Sequence, residues 1–260
     1  TVYMEWMKHE KYIALLKDLE ERFPYRDRLE GKTLSISGVS GMLGSFLTDA
    51  VMLHNQSLPQ KVQCRILGVG RSTTFAARRF APWLGSGLFT FLEQDVTAPL
   101  GELPYTPDYW IHAASTTHPV AYATEPVNTI LSNVLGTRSL LERASEKAGS
   151  RFLLLSSVEV YGENRGETEY FRENDCGYID CNTLRAGYLE AKRVSEALCQ
   201  AYLAEKKTDI VIIRLPRCYG PTMKLGDSKA VAQFIKKGVR REEIVLKSQG
   251  NQLYSYAHAF

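Results

Sequence analysis

The chain has 260 residues, of which 44% are hydrophobic and 23% are charged, so it has ample apolar material for a large globular core. Its formal net charge of +3 is small, and its basic residues occur as isolated pairs such as Arg78-Arg79, which argues against nucleic acid as a partner. No apolar run is long enough to span a membrane and the N-terminus lacks a signal-peptide pattern, so we expect no membrane partner.

The five cysteines are odd in number, form no Cys-x-x-Cys pair and are accompanied by no histidines at zinc spacing. This pattern predicts reduced thiols, a cytoplasmic location and no bound metal.

The first predicted element is an amphipathic helix over residues 3–22, which Pro24 ends. Its apolar face carries Tyr12, Leu15, Leu16 and Leu19. We expect residues 1–30 to form a helical extension that packs on the main domain.

Beyond residue 32, apolar runs of strand length alternate with longer segments of helical periodicity. Strands are predicted at 33–37, 62–69, 88–92, 109–113, 152–156 and 210–214, and helices at 42–54, 73–83, 126–147 and 185–206. This alternation predicts an α/β fold, a doubly wound parallel sheet with helices on both faces. We expect this domain at residues 31–215 and a small, incomplete C-terminal substrate lobe at residues 216–260, because no terminal helix closes the fold.

A glycine-rich turn follows the first strand of the predicted sheet and opens the next helix. Glycines allow a tight turn and a close backbone approach, and a helix N-terminus offers unpaired N–H groups to a diphosphate. Between a strand and a helix, this spacing predicts a dinucleotide site. The residues expected to contact the cofactor there are Gly38, Ser40, Gly41, Met42, Leu43 and Gly44.

The end of the second strand bears on which dinucleotide binds. An acidic residue at this point accepts hydrogen bonds from the ribose 2′-hydroxyl of NAD, whereas this chain has Gly70-Arg71-Ser72. Arg71 can pair with a 2′-phosphate, so NADP is favoured over NAD; the alternative is that Arg71 is a solvent-facing loop residue. Further cofactor contacts are expected at the ends of the third and fourth strands, from Asp95, Val96, Ala113, Ala114 and Ser115.

Tyr188 and Lys192 lie four residues apart in a predicted helix, so they project from one face. A nearby ammonium favours phenolate and lowers the pKa of a tyrosine towards neutrality, which makes a general base for an alcohol. The alternative is an aromatic side chain on a buried helix face beside a solvated lysine. The upstream glycine turn and the Ser-Ser-Val-Glu-Val-Tyr-Gly segment at 156–162 favour the catalytic interpretation.

In this order, the motifs resemble those of the extended short-chain dehydrogenase/reductase superfamily, within its nucleotide-sugar epimerase/dehydratase group. The matching residues are Gly38/Gly41/Gly44, Asp95-Val96, His112 to Ser115, Asn133 to Thr137, Ser156 to Gly162, Tyr188-x-x-x-Lys192 and Arg214 to Pro221. The resemblance implies a Rossmann-like fold, an NAD(P)-dependent enzyme acting on a nucleotide sugar, and a homodimer. It also implies cofactor contacts from Asn133, Tyr188, Lys192, Leu215 and Pro216, and substrate contacts from Thr116, Val158, Arg185 and Arg217.

The same resemblance implies a mechanism. Tyr188 removes the proton of the sugar 4-hydroxyl while C4 gives hydride to the nicotinamide. Lys192 holds the cofactor ribose and depresses the pKa of the tyrosine, and Ser157 hydrogen-bonds the reacting oxygen. The resulting 4-ketone acidifies C5–H and turns a C6 carboxylate into a β-keto acid.

The residues after Ser157 favour one reaction within the group. In the 4,6-dehydratases these two positions are typically Asp-Glu, whereas this chain has Val158, which cannot donate a proton, followed by Glu159. The UDP-glucuronate decarboxylases keep the glutamate after a non-acidic residue, so decarboxylation is favoured, with 4-epimerisation and 4,6-dehydration left open. The alternative for Glu159 is a surface or turn carboxylate.

Two residues depart from the decarboxylase pattern. Tyr254, in the segment Gln252-Leu253-Tyr254, stands where those enzymes carry an arginine, so a carboxylate-bearing substrate would lose its cationic partner. Arg217 stands where the group commonly has asparagine. It could approach the sugar or the diphosphate from another side, or form an ion pair within the substrate lobe.

Two functions of other classes are also considered. A non-catalytic dinucleotide-binding module is disfavoured by the intact Ser157, Tyr188 and Lys192, because a pure binder has no need for an activated phenol. RNA binding is disfavoured by the lack of a basic stripe with interleaved aromatic residues.

Overall fold

The computed structural model describes residues 6–117, 119–166, 168–246, 249–250 and 253–260, with the backbone alone at 119–121. Within them, six parallel strands form one sheet in the order β3-β2-β1-β4-β5-β6. The strands are β1 (Thr33–Ser37), β2 (Arg65–Gly70), β3 (Phe89–Glu93), β4 (Tyr109–His112), β5 (Arg151–Ser157) and β6 (Asp209–Leu215). The order reverses at β1, which pairs with β2 on one side and β4 on the other, so a crevice opens at the carboxyl edge between β1 and β4.

Helices cover both faces of this sheet. They are α1 (Glu10–Arg22), α2 (Met42–Gln56), α3 (Thr73–Arg79), α4 (Pro119–Thr124), α5 (Pro126–Ser145), α6 (Ala186–Lys206) and α7 (Ala230–Arg240). Neighbouring residues of β2 point to opposite faces: Ile66 packs in one core with Met52 of α2, and Leu67 in the other with Leu140 of α5. Each such fully buried aliphatic side chain stabilises the fold by about 1.5–3 kcal/mol. The predicted Rossmann-like, doubly wound α/β fold is confirmed.

The element boundaries differ from the predicted ones where turns intervene. The strand predicted from residue 62 begins at Arg65, because residues 60–62 form a 3-10 turn. The helix predicted at 73–83 ends at Arg79, after which the chain turns so that the Trp83 N–H bonds the Phe80 carbonyl.

The N-terminal helix is shorter than predicted and is fastened to α2 by a polar cluster. α1 begins at Glu10, and residues 3–5 of the predicted helix lie outside the described residues. The carboxylate of Asp49, which is fully buried on α2, accepts hydrogen bonds from the Tyr12 hydroxyl (2.8 Å) and the Trp83 indole (3.1 Å) and pairs with Arg79. Because these donors satisfy the buried charge, the cluster fixes α1 against the helix that follows the glycine turn.

The residues after β6 contain two strands and a helix that the sequence pattern did not predict. β7 (Arg217–Tyr219) and β8 (Tyr256–His258) form a separate two-stranded parallel sheet, and α7 lies between them in the chain. Thr222 donates a hydrogen bond of 2.7 Å to the carbonyl of Met42, which joins this segment to the start of α2. Within the described residues, no helix has the length and apolarity needed to cross a membrane.

Candidate active site at the carboxyl edge of the sheet

The glycine turn between β1 and α2 is built from positions that other residues cannot occupy. Gly38 has φ +67°, and a Cβ there would lie 2.7 Å from the backbone of Ala114. A Cβ on Gly44 would lie 2.6 Å from the Gly38 carbonyl oxygen. The turn therefore packs directly on the loop after β4 and aims the N-terminus of α2 at the crevice, where its unpaired N–H groups suit an anion.

Two adjoining clefts open above this turn, with volumes of about 230 Å³ and 530 Å³, and they share Gly38, Gly41, Ala113 and Ser115. The predicted cofactor residues that line the first are Gly38, Ser40, Gly41, Arg71, Asp95, Val96, Ala113, Ala114 and Ser115. Those that line the second are Met42, Leu43, Gly44, Tyr188, Lys192, Leu215 and Pro216. The second cleft also gathers Ser157, Val158, Glu159, Arg185 and Arg217. Together the two clefts form a long groove in which the backbone of the glycine turn is exposed, and this shape fits a dinucleotide.

Three predicted residues do not line the cleft expected for their role. Ser72 lines neither cleft; its hydroxyl accepts a hydrogen bond from the Phe75 N–H and caps α3. Asn133 is fully buried behind the first cleft, where its side-chain oxygen accepts a 2.9 Å hydrogen bond from Ser115. Thr116, predicted to contact substrate, lines the first cleft, whereas its neighbour Thr117 lines the second.

The first cleft carries cations where NAD-type sites carry an acid. Arg71 and Lys224 both line it, and Asp95 is its one acidic lining residue among those the structure describes. Hydrogen bonding from Thr97 lowers the pKa of Asp95, with a further contribution from the charge of Arg71. Lys224 belongs to the C-terminal segment and was not predicted, because only the fold brings it to the cleft.

Tyr188 and Lys192 both point into the second cleft from α6, as their spacing predicts. Both are buried, and the Lys192 ammonium lies 5.9 Å from the centre of the Tyr188 ring. The Lys192 Nζ donates a 2.9 Å hydrogen bond to the carbonyl of Leu155, at the end of β5. The solvated lysine of the alternative interpretation is therefore wrong.

The predicted fall in the pKa of Tyr188 is wrong for the protein in this state. Burial raises the pKa to about 12, the charge of Glu159 adds to this, and hydrogen bonding with Ser157 and Ser115 opposes it. The Tyr188 ring also stacks on that of Tyr122, with centroids 5.0 Å apart. Desolvation therefore outweighs the hydrogen bonds that favour the phenolate. Tyr122 was missed because α4 gives too short a sequence pattern to place it.

Burial shifts the pKa of Lys192 in the opposite direction, downwards. Desolvation lowers its pKa to about 8, and the charge of Glu196 partly opposes this. Glu196, one turn along the same face of α6, is itself held by Arg214 (2.8 Å) and by the Ser156 hydroxyl (2.6 Å). The lysine is thus a buried amine whose pKa lies below that of a solvated lysine.

Glu159 lies between two guanidinium groups at the mouth of the second cleft. The Ser157 hydroxyl accepts a 3.2 Å hydrogen bond from the Glu159 N–H, which starts a 3-10 turn at the end of β5. The Glu159 carboxylate lies 3.3 Å from Arg185 and 3.4 Å from Arg217. It faces the cleft rather than forming an isolated surface charge.

Arg217 occupies a position that the sequence alone could not assign. Its guanidinium carbon lies 3.5 Å from the centre of the Tyr254 ring, so the two residues that depart from the decarboxylase pattern contact each other. Gln252 of the same segment lies outside the described residues. The ion pair of Arg217 is formed with Glu159, not within the C-terminal lobe.

The fold and this site define a protein of the extended short-chain dehydrogenase/reductase class. The model of the NAD dependent epimerase/dehydratase family matches residues 34–260, and the chain belongs to that family.

Relatives with assigned names are similar over most of this chain. It is 28% identical over 252 residues to UDP-glucuronic acid decarboxylase 1 of Xenopus tropicalis. This match covers 96% of this chain and 56% of that protein. It is 31% identical over 223 residues to UDP-glucuronic acid decarboxylase 5 of Arabidopsis thaliana, covering 86% and 62% respectively. The chain thus spans less than two thirds of the length of these relatives.

A solved structure shows the same fold. The UDP-glucuronic acid 4-epimerase from Bacillus cereus, in complex with UDP-glucuronic acid and NAD, superposes with a TM-score of 0.70. Its sequence is 19% identical, and the match covers 87% of this chain and 69% of the epimerase.

Proposed function

We propose that this protein is an NAD(P)-dependent enzyme that modifies a nucleotide sugar through transient oxidation at C4, with decarboxylation of a C6 carboxylate favoured. The main support is that Ser157, Tyr188 and Lys192 line one cleft, and that the glycine turn lines the same cleft. The names of the curated relatives support the nucleotide-sugar substrate and the decarboxylation.

The catalytic roles follow from position and protonation. Tyr188 accepts the proton of the sugar 4-hydroxyl, and Ser157, beside it, hydrogen-bonds the same oxygen. A nicotinamide dinucleotide held by the glycine turn and by the loops after β2 and β4 would supply the hydride acceptor for C4 and would bring positive charge close to the phenol. Lys192 adds a second cation 5.9 Å from the ring, which favours loss of the phenolic proton against the cost of burial.

The neighbours of Ser157 support decarboxylation. A 4-ketone makes a C6 carboxylate a β-keto acid that loses carbon dioxide without a protein acid at C6. Dehydration needs such an acid, and the corresponding side chain in the cleft is the apolar Val158. Glu159 lines the same cleft, and we propose it as the group that delivers a proton to C5 of the enolate left after loss of carbon dioxide. A 4-epimerase is the second candidate, because epimerisation needs only the Ser157, Tyr188 and Lys192 set.

We propose NADP as the preferred dinucleotide. Arg71 and Lys224 line the cleft end that follows β2, where a 2′-phosphate would lie. Glu93, which pairs in register with Gly70 across β2 and β3, is engaged by Thr73 through its backbone N–H (3.2 Å) and hydroxyl (2.6 Å). This carboxylate is therefore not directed at a ribose hydroxyl.

The homodimer and the cytoplasmic location stay predictions. The long helices α5 and α6 pack together and leave apolar side chains exposed, which supports a second copy as the partner. These side chains include Val127, Ile130, Leu131, Val194 and Leu203.

The reaction is tested by incubating the full chain with NAD or NADP and a panel of nucleotide sugars, including UDP-glucuronate and UDP-glucose, and weighing the products by mass spectrometry. Loss of carbon dioxide would support decarboxylation, and loss of water would support dehydration. An unchanged mass together with a new stereoisomer would support epimerisation. Absence of any product together with cofactor binding would favour the non-catalytic module.

A further inference from the structure

The second cleft carries more positive charge than its catalytic set needs. Four cationic residues line it, and Glu159 is the one acidic residue among the described lining residues. The cations are Arg185, Lys192, Arg217 and Lys229. Such an excess of positive charge favours binding of an anionic ligand in the cleft.

Arg217 faces the reacting end of the cleft rather than the glycine turn. Its guanidinium contacts the Glu159 carboxylate at 3.4 Å, and the Glu159 N–H bonds the Ser157 hydroxyl at 3.2 Å. Arg217 is therefore two contacts from the hydroxyl that binds the reacting oxygen. The N-terminus of α2, which suits a diphosphate, is on the glycine-turn side of the same cleft.

Arg217 is also held more firmly than the other arginine on Glu159. Its side chain is 33% exposed and stacked on Tyr254, whereas that of Arg185 is 68% exposed. A guanidinium stacked on an aromatic face keeps its N–H edge directed sideways, with five donors in one plane. Among the described residues, one of these N–H groups reaches Glu159, which leaves further donors for a second carboxylate.

We propose that Arg217, positioned by the ring of Tyr254, is the specificity-determining residue that binds a carboxylate on the substrate sugar. This inference rests on the proposed nucleotide-sugar function and deepens it. The sugar carboxylate accepts N–H bonds from Arg217 next to Glu159, and Arg185, which stays on Glu159, keeps the two carboxylates from repelling each other at full strength. A neutral sugar would leave this arginine without its ligand.

Binding without turnover tests the proposal. In the full chain with Tyr188→Phe, loaded with dinucleotide, calorimetry measures the dissociation constants of UDP, UDP-glucose and UDP-glucuronate with and without Arg217→Gln. We expect Arg217→Gln to weaken UDP-glucuronate by about 10- to 100-fold, the range for one hydrogen bond to a charged group, and to leave UDP and UDP-glucose within about threefold. Arg217→Lys should restore only part of the loss, because an ammonium lacks the planar fork.

Two controls separate the outcomes. Arg151→Gln removes the same charge at the opposite edge of the sheet and should leave all three dissociation constants unchanged. Tyr254→Leu keeps Arg217 but removes its stacking partner, and should weaken UDP-glucuronate alone by a smaller factor; it also serves if Arg217→Gln does not fold.

Equal weakening of all three ligands by Arg217→Gln would assign Arg217 to the diphosphate and overturn the proposal, and so would no effect on any of them. If the parent protein binds dinucleotide but none of the nucleotide sugars, the proposed function itself fails. That result is distinguishable from the failure of Arg217 to discriminate between sugars.

Discussion

The ring of Tyr188 stacks on the ring of Tyr122, with centroids 5.0 Å apart and planes 19° from parallel. Tyr188 is buried and Tyr122 is half-buried, and burial raises the pKa of each. In this state the proposed base is therefore a neutral phenol shielded by a second aromatic ring. Positive charge brought into the cleft must lower the phenol's pKa so that it ionises before it can accept a proton.

Removing the covering ring should make Tyr188 easier to ionise. Tyr122→Ala admits water to the phenol, so its pKa should fall below about 12, whereas Tyr122→Phe keeps the stack and should change it little. Ultraviolet titration of each protein, minus that of its Tyr188→Phe partner, isolates this group from the other tyrosines. An identical Tyr188 titration in Tyr122→Ala and Tyr122→Phe would show that the stack does not control the pKa.

Loss of the Tyr188 hydroxyl should stop turnover and leave the affinity for the dinucleotide almost unchanged. Tyr188→Phe keeps the buried ring but cannot accept the proton, so we expect turnover to fall by at least about 100-fold. Dinucleotide affinity, measured by fluorescence, should stay within about threefold, because the groove is formed by the glycine turn and the loops after β2 and β4. Retained turnover would contradict the assignment of Tyr188 as the base.

Lys192 should cost the protein stability at neutral pH. Its pKa of about 8 lies below the unfolded value of 10.5, so the charged form is disfavoured in the fold by about 3 kcal/mol. Lys192→Met should therefore be inactive yet more stable at pH 7, by about 1–3 kcal/mol in urea unfolding, after allowing for the lost bond to Leu155.

The advantage of Lys192→Met should depend on pH with a defined sign. The folded protein loses the Lys192 proton first, so wild-type stability rises relative to the variant as the pH increases from about 8 to 10.5. Below pH 8 the difference should be constant. A difference that is the same at pH 7 and pH 10 would exclude a charge penalty at this residue.

Gly38→Ala should destabilise the protein more than Gly31→Ala, although the two glycines have nearly the same φ of +67° and +66°. At Gly31, apart from its chain neighbours, none of the residues that the structure describes lies within 4 Å of the added carbon, so only backbone strain of about 1 kcal/mol is expected. At Gly38 the added carbon meets the Ala114 backbone at 2.7 Å, which should raise the loss to about 3 kcal/mol or more and weaken dinucleotide binding. Equal unfolding midpoints would refute the close approach.

Arg71→Ala should change the choice of dinucleotide. Loss of the guanidinium should weaken NADP by about tenfold or more and leave NAD within about threefold, because only NADP carries a 2′-phosphate. Lys224→Ala should act in the same direction, since it lines the same cleft. Fluorescence titration with both dinucleotides measures the effect, and parallel losses for NAD and NADP would favour a role in the adenosine or diphosphate contacts.

The parts of the fold that follow from local pattern could be predicted. The turn at Gly38 and the strand β1 depend on neighbours a few residues away, and the i to i+4 spacing of Tyr188 and Lys192 fixes their common face. α7 was also within reach, because Val231, Phe234 and Ile235 repeat at helical spacing.

What the sequence could not supply are the long-range contacts that set chemistry. Burial raises the pKa of Tyr188, and part of that burial comes from contacts distant in the chain, such as the stack on Tyr122, more than 60 residues earlier. A rule based on the neighbouring lysine therefore gave the wrong direction for the protein in this state. Likewise, Arg217 and Tyr254 each looked like a separate departure from a pattern. Only the pairing of β7 with β8 brings them together and suggests that one compensates for the other.

The polar cluster around Asp49 has a practical consequence for anyone who shortens or tags this protein. Deleting residues 1–30 would remove the Tyr12 hydroxyl that donates a hydrogen bond to the buried Asp49 carboxylate. It would also expose the apolar side chains Phe46 and Leu53 of α2 to solvent. We expect the loss of these contacts to loosen the N-terminal end of the same helix, which lines the proposed dinucleotide site. A shortened protein that fails to retain cofactor on a column would then reflect a loosened scaffold and not a missing ligand contact.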